Sequence, residues 1–355
     1  MRHLDSVVER QRDAALHGAL LLGRDDRVAV VATGPDRVKF LHAMLTQSVR
    51  DVAVGSVRPA LLCDAQGAMQ ARIELVARAD DIVLWVDRAD AEAAAAFLDR
   101  YVVMDDVAFA VDEDLALLDV VGPDAAAVTE RAGLHVGHAS ADIAAVLATD
   151  HGTVWAWLAA TGGRSDAPHG SGQPVLRLQL PRDGLGGLAG ALLAAGAMAG
   201  SHAASEVLRI GAGVPRLGVD LEPGTLPQEA GLGEALHFLK GCYLGQEAVA
   251  MLTYRGQLRR HLCWVEVLHG DPEPGWELRT AAGKRAGRMG SAWVGTDGRS
   301  LGLATVARKA FAPGVELAAN RPDAAGDTGA RVLVLAPTVA GALTPTAAAG
   351  AGDAP

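Results

Sequence analysis

The sequence predicts an α+β architecture built on antiparallel sheets and finished by a small all-β barrel. Three observations lead there. Apolar runs of strand length are joined by short polar turns, which is hairpin chemistry. Helical segments fall between these runs without the regular strand–helix–strand crossovers that a doubly wound parallel sheet requires. From Arg259 onward helical periodicity fades and short apolar runs recur between turns, as in a small barrel. The expected boundaries are residues 1–258 for the α+β region, 259–338 for the barrel and 339–355 for a low-complexity tail rich in Ala, Gly and Pro that is expected to be disordered.

In chain order, Arg27 to Ala32 reads as a strand, and Gly34-Pro35-Asp36 opens a helix carrying Phe40, Leu41, Met44 and Leu45 on one face. Val57 to Leu62 and Met69 to Val76 flank the polar turn Asp64-Ala65-Gln66-Gly67, and Asp81 to Val86 offers a third strand. Asp90 to Tyr101 is Ala-rich and helical in propensity. Strands at Val107 to Val111 and Ala116 to Val121 follow, and Pro123 starts another helix. The Gly-, Ser- and Pro-rich stretch near 160–174 is expected to be an exposed loop. Beyond it come a strand at Val175 to Leu180, a helix of small residues at Asp183 to Gly196, and a helix at Ser201 to Ile210 with Ser201 as N-cap. The barrel strands are expected at His261 to Leu268, Trp276 to Thr280, Gly287 to Val294, Ser300 to Val306 and Ala330 to Leu335.

Of 355 residues half are apolar, ample for sizeable cores. The three cysteines, Cys63, Cys242 and Cys263, form no CxxC pair and no zinc or disulfide spacing, a usage that fits a reducing cytoplasm. No leader or membrane span is expected, since the longest apolar stretch, at 189–200, is short and broken by glycine. A formal net charge of −10 argues against direct nucleic-acid binding, which needs a positive surface field. The local basic group Arg255, Arg259, Arg260 and His261 reads as solvated residues at a strand start.

One segment stands apart: Lys240-Gly241-Cys242-Tyr243-Leu244-Gly245-Gln246-Glu247. A cation near a cysteine favours the thiolate and so raises its nucleophilic and metal-binding capacity. Glycines let backbone pass close to a neighbour or adopt positive φ. The competing reading is a structural cysteine in a loop before a helix. His237 is a candidate proton partner for Cys242, though a packing role suits it better. Cys63, Cys263 and the tryptophans Trp155, Trp157, Trp264, Trp276 and Trp293 fall in strand patterns and read as core, and Asp64 reads as a turn residue.

This segment, with RIGAGVPRLGVD at Arg209 to Asp220 and LPQEAGL at Leu226 to Leu232, resembles the diagnostic region of the YgfZ family, relatives of the glycine-cleavage T-protein. The upstream runs Gly34 to Val52, Ala60 to Leu75 and Arg100 to Ala125 match the same family in order and spacing. The resemblance implies a T-protein-like ring of two α+β subdomains and a β-barrel around an opening that takes tetrahydrofolate, with Arg209, Tyr243 and Arg255 in the folate-type pocket and Cys242 as functional thiol. It implies an accessory role in iron–sulfur cluster assembly or repair, including for tRNA-modifying enzymes, with iron–sulfur enzymes or cluster-assembly proteins as partners. The alternative is a folate-dependent one-carbon transferase or demethylase.

Three departures bear on that choice. The T-protein hairpin carries a carboxylate needed for methylene transfer where this chain has Arg72, and an arginine neither accepts a hydrogen bond nor acts as a base. The family's R-[IL]-E-A-G pattern has a glutamate that pairs with a pterin edge, replaced here by Gly211; Glu206, Asp220 and Glu229 are the nearby carboxylates able to compensate. Met251 stands where the family usually has an arginine. Aminomethyl transfer is thereby disfavoured.

Overall fold

The computed structural model describes residues 2–159, 172–255, 257–322 and 328–338. Most of the loop expected near 160–174 and all of the tail at 339–355 lie outside the described residues. The chain opens with β1 (Arg2–His3), α1 (Ser6–His17) and β2 (Leu20–Gly23). Asp5 caps α1, its carboxylate accepting from the Val7 and Val8 amides at 2.9 Å. None of these three elements was expected from the sequence. The four residues of β2, three of them buried leucines, show no alternation that distinguishes strand from helix.

The first sheet is formed by β3 (Arg27–Thr33), β4 (Val57–Cys63), β5 (Met69–Ala77), β6 (Ile82–Asp87) and β7 (Ala108–Asp112), in the all-antiparallel order β4-β5-β6-β3-β7. Between them run α2 (Arg37–Met44) and α3 (Ala91–Asp99). Phe40, Leu41 and Met44 of α2 and Phe97 and Leu98 of α3 cover one sheet face, burying Val28, Val30, Ile73, Leu75 and Leu84.

A second sheet has the order β12-β2-β8-β11-β10-β9. Its later strands are β8 (Leu115–Val121), β9 (Ala145–Thr149), β10 (Gly152–Leu158), β11 (Val175–Pro181) and the short β12 (Met198–Ala199). The helices α4 (Ala125–Arg131) and α5 (Leu185–Ala194) pack on one face through Val128, Leu188 and Leu192. The other faces of the two sheets meet over Ala29, Val57, Val83, Trp85, Leu117 and Trp157.

Into that otherwise apolar joint the chain inserts charge. Trp157, Arg177 and Asp119 lie side by side across β10, β11 and β8. Arg177 is held bidentate by Asp119 at 2.7 and 2.8 Å and pairs with Glu74 of the facing sheet, while Trp157 Nε1 donates to Glu74 at 2.9 Å and Trp85 Nε1 donates to Gln179 at 2.8 Å. Burial works against the charged carboxyls, yet the neighbouring guanidinium groups hold both Glu74 and Asp119 below the usual carboxylate range.

Beyond the sheets lie α6 (His202–Gly211), capped by Ser201 Oγ as expected, and α7 (Gln246–Arg255). The barrel comprises β13 (Arg260–His269), β14 (Glu277–Arg279), β15 (Arg285–Val294), β16 (Ser300–Ala307), β17 (Glu316–Asn320) and β18 (Ala330–Pro337). Its order is β15-β14-β17-β18-β13-β16, and β16 pairs again with β15, closing six strands. The N-terminal β1 adds to β15 in parallel, a long-range pairing that local sequence does not announce. Cys263, Val265, Leu278, Met289, Leu317 and Val332 fill the interior. Cys63 and the tryptophans expected in the core are buried, apart from the partly exposed Trp155.

Arg177→Met leaves Glu74 and Asp119 in the joint without their shared cation and is expected to cost about 3–5 kcal/mol in urea unfolding at neutral pH. Because both carboxyls are depressed in the folded state, their stabilisation is present above the ordinary carboxylate range and is lost as pH falls through it, so the same substitution should cost clearly less in acid.

Candidate functional site

The Lys240–Glu247 segment lies across the end of α2. His237 N donates to Thr46 O and Leu244 N to Ala43 O, both at 3.0 Å, and Thr46 Oγ1 donates to Ala235 O at 2.6 Å. The Lys240 ammonium donates to His42 O, Leu45 O and Gln47 O, carbonyls at and just past the C-terminal end of α2, where a cation is favoured. In return His42 Nε2 meets Lys240 O at 2.9 Å. Since His42 Nδ1 accepts from Val49 N at 3.2 Å, Nε2 carries the proton and donates. Burial, and after it the like charge of Arg50, pull Lys240 down to about 7.

All three Lys240 donors are therefore committed to carbonyls. The sequence pairs this cation with Cys242; in the structure it is an anchor for the loop that presents Cys242, and its ammonium also lies 5.0 Å from the Tyr243 ring centroid. Tyr243 is buried, and burial together with nearby Cys63 raises its hydroxyl. Gln246 Oε1 accepts from Tyr243 N at 3.3 Å, tightening the turn into α7. Glu247 is exposed in the first turn of that helix, where the dipole favours an anion.

The glycines have a specific use. Gly245 has φ +81°, and a Cβ there would lie 2.2 Å from Asp64 O and 3.0 Å from the Gly67 backbone; Gly67 has φ +79° and faces Ala248 and Gly245 in turn. The β4–β5 turn and the start of α7 thus touch backbone to backbone. Asp64 keeps the turn role expected of it, its Oδ1 accepting from the Gln66 and Ala68 amides at 2.9 Å. Between the two clamps, at Lys240 and Gly245, Cys242 is free and exposed. Cys63 and Cys263 are buried and their thiols are pushed up to about 12 by burial. His237 leaves Nδ1 buried with no partner among the described residues.

A second feature is a cavity of about 100 Å³ where the two sheets meet α6. Six arginines line it: Arg24, Arg27, Arg72, Arg177, Arg209 and Arg216. Arg209 uses all of its donors within the protein, bonding Glu206 twice at 3.1 Å, Val214 O and Asp220 at 2.7 Å, and Ser291 of the barrel at 2.8 Å. It joins α6 to the barrel, with every donor engaged inside the protein. The side chain of Arg255 lies outside the described residues. Met251 is exposed on α7.

None of the compensating carboxylates is free. Glu206 pairs with Arg209 and Arg216, Asp220 with Arg209, and Glu229 with Arg260 at 3.0 Å. Arg260 is thus paired, whereas Arg259 is exposed, and burial followed by Arg308 lowers His261. Sequence reasoning missed Arg24, Arg27, Arg177 and Arg216, which come from distant segments. The one local signal was an arginine inside the apolar run Val175–Pro181. Among the described residues there is no cluster of three or more His, Cys, Asp or Glu able to hold a metal, and no helix long and apolar enough to cross a membrane.

One antiparallel sheet, a second that is antiparallel but for the parallel β12–β2 pair, a closed six-stranded barrel and a cavity at the sheet joint define a T-protein-type fold. The glycine cleavage system aminomethyltransferase T from Bartonella henselae superposes with a TM-score of 0.77 at 21% identity, covering 93% of this chain and 88% of that one. The family model described as the GCVT N-terminal domain matches residues 5–240. Among the sequence relatives are the tRNA-modifying protein YgfZ of Yersinia enterocolitica, 27% identical over 76% of this chain and 78% of the relative, and that of Edwardsiella ictaluri, 29% identical over 79% of each. The chain belongs to the GCVT-domain family, within it to the YgfZ family.

Lys240→Met strips the donor from three carbonyls at the end of α2, all of them in residues that are themselves buried. It is expected to destabilise the protein by about 1–3 kcal/mol in urea unfolding and to speed amide exchange across 235–247.

Proposed function

We propose that the chain is an accessory protein for iron–sulfur cluster assembly or repair, serving iron–sulfur enzymes that include tRNA-modifying ones, with Cys242 as its working thiol. One observation carries this reading: of the three cysteines only Cys242 is exposed, and it sits on a loop fixed on both sides, by the Lys240 anchor and by the Gly245–Gly67 contact. An exposed thiol on a held backbone is suited to act as nucleophile or as ligand toward a partner's cluster, whereas a buried thiol is inert. The relatives named as tRNA-modifying proteins support the same direction. Three unpaired cysteines are consistent with a reducing cytoplasm as the site of action.

Tetrahydrofolate is the ligand that the fold family implies for the cavity, and the residues lining it do not fit a pterin. The volume of about 100 Å³ falls below the roughly 300–1,000 Å³ of small-molecule pockets. The pterin edge needs a free carboxylate, but Asp26, Asp87 and Asp119, the carboxylates on the wall, are each paired with arginine, and Gly211 supplies none. Arg72 sits in the position of the transferase carboxylate. No step is assigned to folate, and one-carbon transfer is disfavoured on the same grounds.

Cys242→Ala is expected to fold normally by circular dichroism and to abolish complementation of an iron–sulfur-enzyme defect in cells; full complementation would overturn the proposal. In calorimetric titration with tetrahydrofolate, the unaltered protein is expected to show no saturable binding in the range of a specific small-molecule site. Tight binding by the unaltered protein would return folate to the cavity.

A further inference from the structure

We infer that the central cavity binds a small oxyanion, a carboxylate or phosphate group, between Arg27 and Arg72. This is a different ligand chemistry from the pterin of the fold family, and it does not depend on the role of Cys242.

The reasoning begins with how charge is shared on the cavity wall. Arg24, Arg177, Arg209 and Arg216 each meet two carboxylates: Arg24 those of Asp26 and Asp119, Arg177 those of Asp119 and Glu74, Arg209 those of Glu206 and Asp220, and Arg216 those of Asp26 and Glu206. Arg27 and Arg72 instead share the single carboxylate of Asp87, and only at 3.2 and 3.5 Å. Arg27 also donates to Trp85 O, whereas among the described residues the long contact to Asp87 is the one hydrogen bond that Arg72 makes. Both leave Nε buried with no partner among the described residues. A buried guanidinium donor without an acceptor is costly, and the geometry that relieves it best is an oxyanion taken by two N–H groups of one fork.

Asp90 and Glu234 also act on Arg72 through space, and burial, followed for Asp90 by Asp87, raises both carboxyls, that of Asp90 to about 6. Among the described residues neither makes a hydrogen bond or ion pair with Arg27 or Arg72, so the fork donors are left without an acceptor even where these acids are ionised. Arg27 itself is brought down to about 10, by burial first, with Arg72 adding to the fall and Asp87 opposing it. The cavity lining also includes the apolar Leu22, Val121, Val175 and Leu208, and its volume of about 100 Å³ leaves room for a small ligand only.

Calorimetric titration with sodium phosphate and, separately, with sodium acetate, at an ionic strength held constant with chloride, tests this. Saturable binding of at least one of them is expected, and the preferred one tells a phosphate ligand from a carboxylate. Arg72→Gln should weaken that binding about ten-fold or more, Arg72→Lys should weaken it less, because charge remains while the fork is lost, and Arg299→Gln on the barrel surface should leave it unchanged. If circular dichroism shows that Arg72→Gln fails to fold, Arg72→Lys carries the comparison. Absence of saturable binding by the unaltered protein, or undiminished binding by the folded Arg72 variant, overturns the inference.

Discussion

Arg177 crosses the one surface on which the two α+β sheets touch, and the remaining architecture is arranged around satisfying it. A guanidinium in an apolar joint is tolerable only when its fork is filled, and the cross-strand placement of Asp119 beside it and of Glu74 opposite does that. The consequences spread outward. Asp119 also receives Arg24, Glu74 also receives the Trp157 indole, and Arg24 leads through Asp26 to Arg216 and on to Glu206 beside Arg209. Arg209 in turn reaches Ser291 of the barrel. One chain of ion pairs therefore links both sheets and α6, a hydrogen bond from Arg209 extends it to the barrel, and its inner edge is the cavity wall.

The motif loop is secured by different physics. Lys240 serves backbone carbonyls at a helix end, where the need for donors is fixed by the helix itself, and Gly245 meets Gly67 because no side chain fits between the two backbones. These attachments both run to the first sheet and its α2 helix, so the position of Cys242 is set by elements almost two hundred residues earlier in the chain. The lysine, glycines and cysteine of one short sequence motif thereby have separate tasks: anchoring, close approach and exposure.

The fold is that of the GCVT-domain family, and its cavity wall carries six guanidinium groups. The carboxylates around them are occupied in the network that holds the subdomains together, so freeing one would come at a cost in stability. Glu206 and Asp220 are held there, and Glu229 is held by Arg260.

The antiparallel α+β class, the hairpin at Asp64 to Gly67, the Ser201 cap, most barrel strands and the importance of the Lys240–Glu247 segment are legible in the sequence, because each depends on local periodicity, turn chemistry or a contiguous motif. The pairing of β1 with the barrel, the insertion of β2 between β8 and β12, and the convergence of six arginines on one cavity are decided only by the tertiary structure. They join residues scattered along the chain, and nothing in a local pattern states which distant carboxylate an arginine will find. For the same reason the sequence could mark Lys240 as a cation beside a cysteine, and only the fold could show that its charge is spent on the end of α2.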